Sequence, residues 1–247
     1  MRICVVQTKS IKGDIQGNIE IHKKFIEQAV AHDANVIIFP ELSLTGYEPS
    51  LAKALATDQE DGRFQPFQTL SNTHQLTIGV GVPTKSHAGI HISMILFQPQ
   101  KERRTYSKKY LHADEEPFFV SGQNFPSLTI DKSNVAIAIC YELSISEHAE
   151  LAYQNGADFY IASVAKTASG VNNANKRLSD IARNYSMTVL MSNCVGPCED
   201  FVGGGETAVW NPQGHQITQL NNTDEGLIIY DTDTEALFST NTINHAY

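Results

Sequence analysis

With 247 residues, 41% of them hydrophobic, the chain is long enough to bury a full core as one α/β domain. Its formal net charge of -9, with no basic cluster beyond pairs such as Arg103-Arg104 and Lys108-Lys109, argues against nucleic-acid binding. No run approaches a membrane span, the amino-terminal apolar run is broken by Gln7 and Lys9, and four Cys without an export signal point to a reducing, cytoplasmic setting.

Arg2 to Gln7 reads as a first strand, with Ile3, Val5 and Val6 supplying β-propensity. Asn18 to Ala31 reads as an amphipathic helix, with Ile19, Ile26 and Val30 inward and Glu20, Lys23 and Lys24 outward. Asn35 to Phe39 is a short apolar strand ended by Pro40. Glu41 follows at once, then a loop through Gly46 and Tyr47. A carboxylate right after a buried strand is costly unless paired or solvated, so Glu41 is either a cap or salt-bridge residue or a functional one. Phe64 to Thr73 reads as a helix, and Leu76 to Val82 as a strand whose two Gly admit a close neighbour. Gly89 to Phe97 alternates apolar and polar residues, as in a sheet with one wetter face. After an extended piece from Arg103 to Ser107, the stretch from Lys108 to Gly122 mixes Lys, Glu and aromatics, as a functional loop or a solvated charge run does.

Val135 to Tyr141 carries five apolar residues of seven, the look of a strand buried on both faces, and Cys140 stands at its carboxyl end. Ligands in open α/β sheets collect at strand carboxyl ends, and a turn there can aim a backbone N–H at an oxyanion. Free Cys is also among the most buried residue types, so a structural thiol is the alternative. Ser146 to Gln154 reads as a helix closed at Asn155-Gly156, Asp158 to Ser163 as a strand, Asn172 to Ser186 as a helix and Met187 to Ser192 as a strand. Cys194 and Cys198 lack a second Cys/His pair nearby and read as structural. Gly203 to Thr207 reads as a flexible turn. Ala208 to Trp210, Ile217 to Leu220 and Leu227 to Tyr230 then complete a meander. The last dozen residues are expected to run over the surface or onto a partner. Ala31 to Glu41 and Tyr153 to Val164 share a pattern of helix end, polar turn and short apolar strand, which suggests two related βαβ halves and two sheets covered by outer helices.

Three stretches carry a resemblance. Phe39-Pro40-Glu41-Leu42 with Thr45-Gly46-Tyr47, Tyr106-Ser107-Lys108 with Tyr110-Leu111, and Ile139-Cys140-Tyr141-Glu142 with Glu147 are similar, in order and spacing, to the three signatures of the nitrilase, or carbon-nitrogen hydrolase, superfamily. The resemblance covers nearly the whole chain. It implies a single domain with a four-layer αββα sandwich and a Glu-Lys-Cys triad. Carried over by position, Glu41 is the general base, Lys108 the triad lysine and Cys140 the nucleophile, with Glu115, seven before Gly122, as a second glutamate. The chemistry of these groups agrees. A carboxylate can take the proton of a thiol as it attacks an amide, and Lys108 with the Tyr141 N–H can face the tetrahedral oxyanion. No metal or organic cofactor is required.

This chain departs from the family pattern at Glu142, where Asp is usual, at Ser144, Ser146 and along Ser163-Val164-Ala165-Lys166. Tyr47, Tyr141, Glu142, Val164 and Lys166 are the expected oxyanion and substrate-binding residues. Lys166 is either a partner for a substrate carboxylate or a surface lysine. The expected activity is hydrolysis of a small linear amide with release of ammonia. N-carbamoyl hydrolysis, nitrile hydrolysis and a non-catalytic binding role are the alternatives. A homodimer or higher homo-oligomer is expected, with no nucleic-acid or membrane partner.

Overall fold

The computed structural model describes residues 1–125 and 127–240. In chain order, β1 (Arg2–Gln7), α1 (Ile15–Ala31) and β2 (Val36–Ile38) form a first βαβ unit. A short helix α2 (Ala52–Leu55) and helix α3 (Gln65–His74) lead to β3 (Thr77–Lys85), β4 (Ile90–Phe97) and β5 (Arg104–Ser107). After the long loop come β6 (Leu128–Ile130), β7 (Ser133–Ile139), α4 (Ser146–Gln154), β8 (Phe159–Val164), α5 (Ala168–Tyr185) and β9 (Thr188–Asn193). A hairpin of β10 (Val195–Pro197) and β11 (Val202–Gly204) follows. The last strands are β12 (Ala208–Trp210), β13 (Gln216–Gln219), β14 (Gly226–Asp231) and β15 (Leu237–Thr240).

One sheet has the order β15-β14-β1-β2-β3-β4-β5 and the other β13-β12-β9-β8-β7-β6. The central strands are parallel in both: β1 with β2 and β2 with β3 in the first, β7 with β8 and β8 with β9 in the second. Side-chain alternation sorts the core into three layers. Ile3, Val5, Ile38 and Met94 meet Val135, Ile137, Ile161 and Leu190 between the sheets. Ile37, Ile78 and Phe97 face Ile19, Phe25, Ile26 and Phe67 of α1 and α3. Ala138, Tyr160 and Val189 face Ala149, Ala152, Leu178 and Ala182 of α4 and α5. The fold is a four-layer αββα sandwich, and each half supplies parallel βαβ crossovers with their helices outside.

Local signals set the element boundaries. The first helix starts at Ile15, three residues earlier than its apolar pattern, because the Asp14 side chain accepts the N–H of Gly17 as an N-cap, a contact typically contributing about 1 kcal/mol. Val30 is only half-buried on that helix, while Asn18 and His22 are buried instead. The last helix starts at Ala168 because Thr167 caps it through the N–H of Gly170. Strand β4 has no wet face. His91 and Ser93 are buried, and Ser93 shares hydrogen bonds with the hydroxyls of Thr84 and Ser107, so polar residues there satisfy one another out of water. The glycine run is not a flexible turn: Gly203 and Gly204 belong to β11, and a Cβ at Gly204 would lie 2.4 Å from the backbone N of Ala168. The final strands are not one meander. β12 and β13 extend the second sheet, whereas β14 crosses to the first and pairs antiparallel with β1. Of the expected surface tail, Leu237–Thr240 form an edge strand on β14, and the rest lies outside the described residues.

The two sheets meet at the carboxyl ends of their parallel strands. Ser163 Oγ donates to Phe39 O at 2.8 Å, Ser192 Oγ donates to Val6 O at 2.6 Å, and Val195 N donates to Thr8 O at 3.1 Å. These bonds bring the loop after β2 against the turns after β7 and β8.

Candidate active site

The loop after β2 is held tightly. Phe39 N donates to Gly79 O and Leu44 N to Gly81 O, so the loop lies flat on β3. A Cβ at Gly81 would sit 2.4 Å from Leu42 N and 2.5 Å from Pro40 O, so only glycine allows this approach. Leu42 takes a left-handed φ of 53°, and Ser43 Oγ is fixed by His22 Nε2 at 2.9 Å. The result is a Glu41 side chain with no exposed surface.

Lys108 follows β5 and is 0% exposed. Its Nζ donates to Glu41 Oε1 at 2.8 Å and to Glu115 Oε1 at 2.6 Å. Glu115 in turn accepts the Tyr47 hydroxyl at 2.9 Å and, through Oε2, the N–H of His112 at 2.8 Å. The loop from Lys108 to Gly122 is therefore a folded cradle rather than a solvated charge run. Gly122 N closes it on Lys108 O at 2.8 Å, at a point where a Cβ would meet Ser107 Cβ at 2.3 Å. Two carboxylates share one ammonium. Burial alone would lower the Lys108 pKa, but the negative charges around it, Glu41 foremost, raise it above the ordinary lysine value. Burial pushes Glu41 above the usual carboxylate range, with Lys108 acting against that and Glu115 adding to it. Glu41 Oε2 is buried and takes no hydrogen bond among the described residues, and the Cys140 thiol lies beside the carboxylate.

Strand β7 ends at Ile139, and Cys140 opens a one-turn 3-10 helix (Cys140–Ser144). Cys140 has φ 45°, a left-handed backbone that a β-carbon disfavours and that clusters at functional turns. Burial, then the negative charge of Glu41, lifts its thiol to about 11, while Lys166 and Lys108 pull it down. The resting sulfur is therefore protonated at neutral pH and needs a base when it attacks.

Cys140 lies on the wall of a cleft of about 310 Å³. Tyr47, Tyr141 and Lys166, three of the five residues expected around the substrate, line it. Glu115, Ala165, Thr167 and Gly170 join them. The other two expected residues do not. Glu142 is 0% exposed and bonded entirely to the protein behind Cys140. Val164 is buried under α5 because its neighbour Ser163 faces the other sheet, and a strand alternates its faces. Lys166 is held through its backbone, its N–H donating to Asn193 Oδ1 at 2.9 Å, which leaves the side chain to the cleft. The sequence reading missed the rim: His112, Asp114 and Phe118 from the Lys108 loop, and Glu199, Asp200 and Phe201 from the tip of the β10–β11 hairpin. Nothing periodic marks that tip. It reaches the cleft because Glu199 N donates to Tyr47 O at 3.1 Å and the Phe201 ring packs on Tyr47 with centroids 5.4 Å apart. No helix among the described residues is long and apolar enough to cross a membrane.

A sandwich of this form, with a buried carboxylate and ammonium beside a thiol that opens onto a cleft, defines a class. The chain belongs to the carbon-nitrogen hydrolase family, whose model matches residues 2–241, and it is a carbon-nitrogen hydrolase. Among curated relatives, a "hydrolase in pqqF 5′ region" of Pseudomonas protegens is 26% identical over 99% of this chain and 87% of its own length. A probable nitrilase of Schizosaccharomyces pombe is 24% identical over 94% of this chain and 88% of its own. A glutamine-dependent NAD(+) synthetase of Thermotoga maritima is 23% identical over 94% of this chain, but only 42% of that longer protein is covered. Among solved structures, an amidase from Nesterenkonia sp. AN1 superposes with a TM-score of 0.85 at 22% identity, over 94% of this chain and 92% of that one.

Proposed function

We propose that this chain, acting as one hydrolase domain, cleaves the C–N bond of a small linear amide through a cysteine thioester and releases ammonia. The observation that carries the reading is the shared burial of Glu41, Lys108 and Glu115 directly behind a thiol that opens onto a cleft. Glu41 takes the proton of Cys140 as sulfur attacks the carbonyl carbon, a role that typically contributes about 10² to 10⁴. Lys108 and the Tyr141 N–H stabilise the oxyanion, each such donor contributing about 10² to 10³ by analogy with other oxyanion holes. Glu41 then returns the proton to the leaving nitrogen and ammonia departs. Water attacks the thioester, again with Glu41 as base, and releases the carboxylic acid. Glu115 holds Lys108 in place through the whole cycle, and Tyr47 holds Glu115. Burial raises the Tyr47 pKa, so its hydroxyl stays a donor.

Relatives described as an (R)-stereoselective amidase and as an amidase holding acrylamide or the acetamide moiety of fluoroacetamide on its active-site cysteine support amides over nitriles. Lys166 favours amides that carry a carboxylate. Its ammonium has no hydrogen-bond or ion-pair partner among the described residues, and it lies close enough to lower the pKa of Cys140. The test is ammonia release from a panel of small amides, carbamoyl-amines and nitriles, with Cys140→Ala as control. Release confined to amides and abolished in the variant is expected. Turnover that survives Cys140→Ala would remove the thioester mechanism, and release from carbamoyl-amines alone would replace the substrate class.

A further inference from the structure

Glu142 does not touch the cleft, and no step of the hydrolysis above uses it. It nevertheless joins the two stretches that carry Cys140 and Lys108. Its Oε2 accepts the N–H of Ile139, one residue before the thiol, at 2.8 Å. Its Oε1 accepts the N–H of Lys109, one residue after the ammonium, also at 2.8 Å. Oε2 accepts a further bond from the Tyr106 hydroxyl at 2.8 Å. Tyr106 is fully buried and spends its only hydrogen on Glu142. Its oxygen is left to accept from His148 Nε2 at 2.9 Å, which fixes the tautomer and turns His148 Nδ1 into an acceptor for the Tyr160 hydroxyl at 2.9 Å. Burial lowers the His148 pKa, in keeping with a neutral ring. The network thus runs from β8 and α4 through β5 of the opposite sheet to the Cys140 turn.

We propose that Glu142 is a positioning residue for hydrolysis, and that Tyr106 and His148 aim its carboxylate so that Cys140 and Lys108 keep their relative placement. The proposal rests on the assignment of Cys140 and Lys108 to the reaction. Its physical basis is the acceptor count. A carboxylate accepts on both oxygens, as Ile139 and Lys109 require. An amide at this position accepts on one oxygen only and presents N–H to the other backbone N–H. One of the two stretches must then move. A displacement of about 1 Å between reacting groups costs on the order of 10²-fold in rate.

The experiment compares Glu142→Gln, Tyr106→Phe, His148→Leu and His148→Gln with the parent protein. It reads kcat and KM on the best amide of the panel and, independently of any substrate, the rate at which iodoacetamide labels Cys140 by intact mass. Glu142→Gln is expected to lower kcat about 100-fold with KM changed less than about two-fold, the split that marks lost alignment rather than lost binding. Tyr106→Phe removes the hydroxyl that links Glu142 to His148, and His148→Leu removes the ring that links Tyr106 to Tyr160; each breaks the chain of bonds and is expected to cost at least roughly ten-fold. His148→Gln, whose amide N–H stands where Nε2–H stood, should restore most of that loss. A kcat and labelling rate within about two-fold of the parent in both Glu142→Gln and Tyr106→Phe would overturn the proposal, as would a His148→Gln variant no better than His148→Leu. If Glu142→Gln does not fold, Tyr106→Phe and the His148 pair decide alone, since neither leaves a buried carboxylate without its backbone partners. A parent that hydrolyses no amide yet labels at Cys140, with labelling altered in the variants, supports the network and counts only against the amide reading.

Discussion

Exchanging Glu41 for Gln separates the base from the charge. The substitution keeps the shape and leaves an oxygen 2.8 Å from Lys108 Nζ. Lys108 also keeps Glu115 at 2.6 Å, so the cation is not stranded, and the roughly 3–5 kcal/mol penalty for breaking a buried pair outright is largely avoided. The loss of the base should cut amide turnover by about 10² to 10⁴. The thiol should respond in the opposite sense. Burial is the largest cause that lifts Cys140 to about 11, and the charge of Glu41 is the next. At pH 8 such a thiol is thiolate about one part in 10³, and each unit of lowering multiplies that fraction about ten-fold. With the Glu41 charge gone and Lys108 and Lys166 still in place, the midpoint for alkylation should move to lower pH. The assay is iodoacetamide labelling followed by intact mass from pH 6 to 11, run beside ammonia release on the same samples. Turnover that falls while the midpoint drops is the expected pair of results. A variant that keeps its turnover, or a midpoint that stays or rises, would refute the electrostatic reasoning.

Lys166→Ala should raise KM for amides bearing a carboxylate and leave neutral amides unchanged. An equal effect on both would mean that the ammonium does not read the substrate's charge. His22 is buried on α1 and burial lowers its pKa to about 3, so its contribution to stability is full above about 6.5 and lost as pH falls toward 3. At pH 5 the loss amounts to about 2 kcal/mol, or roughly 4–8 °C in Tm for a chain of this size. Calorimetry of His22→Leu should show a lower Tm at pH 7 but a flatter decline toward pH 5, and a parallel decline would clear His22 of the effect. Leu151 and Tyr153 are exposed on α4, and light scattering at micromolar concentration should give at least twice the 27.2 kDa chain mass, whereas a monomer would remove the expected assembly.

Much of this architecture is legible wherever burial repeats along the chain. β1 stands at the expected residues because five of its six side chains are buried, and α4 because its Asn155-Gly156 end is a local signal. A strand glycine is informative too, since Gly81 of β3 marks the approach of the very loop that carries Glu41. What the sequence hides is pairing. The sequence reading identifies Leu227 to Tyr230 as a strand, observed as Gly226–Asp231, but not that its partner is β1 at the other end of the sequence. The polar residues of β4 look solvated because Thr84 and Ser107, which satisfy Ser93, come from two other strands. At the site, Glu41, Lys108, Glu115 and Cys140, which only the family resemblance had grouped, lie side by side. Val164 was misplaced although strand parity with Ser163 could have shown it. Glu142 was misplaced because no local feature tells a carboxylate facing substrate from one facing backbone N–H groups.

Strand β1 lies between β2 and β14, and β14 is built from residues 226–231. During synthesis, the βαβ unit that leads to Glu41 therefore precedes its closing strand and keeps an open edge until β14 has emerged. The parallel strands behind Cys140 and Lys166, by contrast, assemble within residues 133–193. A nascent or truncated chain lacking β14 offers the backbone of Arg2–Gln7 to any passing strand, a template for aggregation. Closure by β14 thus serves as a completeness check, in which an early strand of this domain is covered on its second edge only when a strand from the far end of the fold arrives.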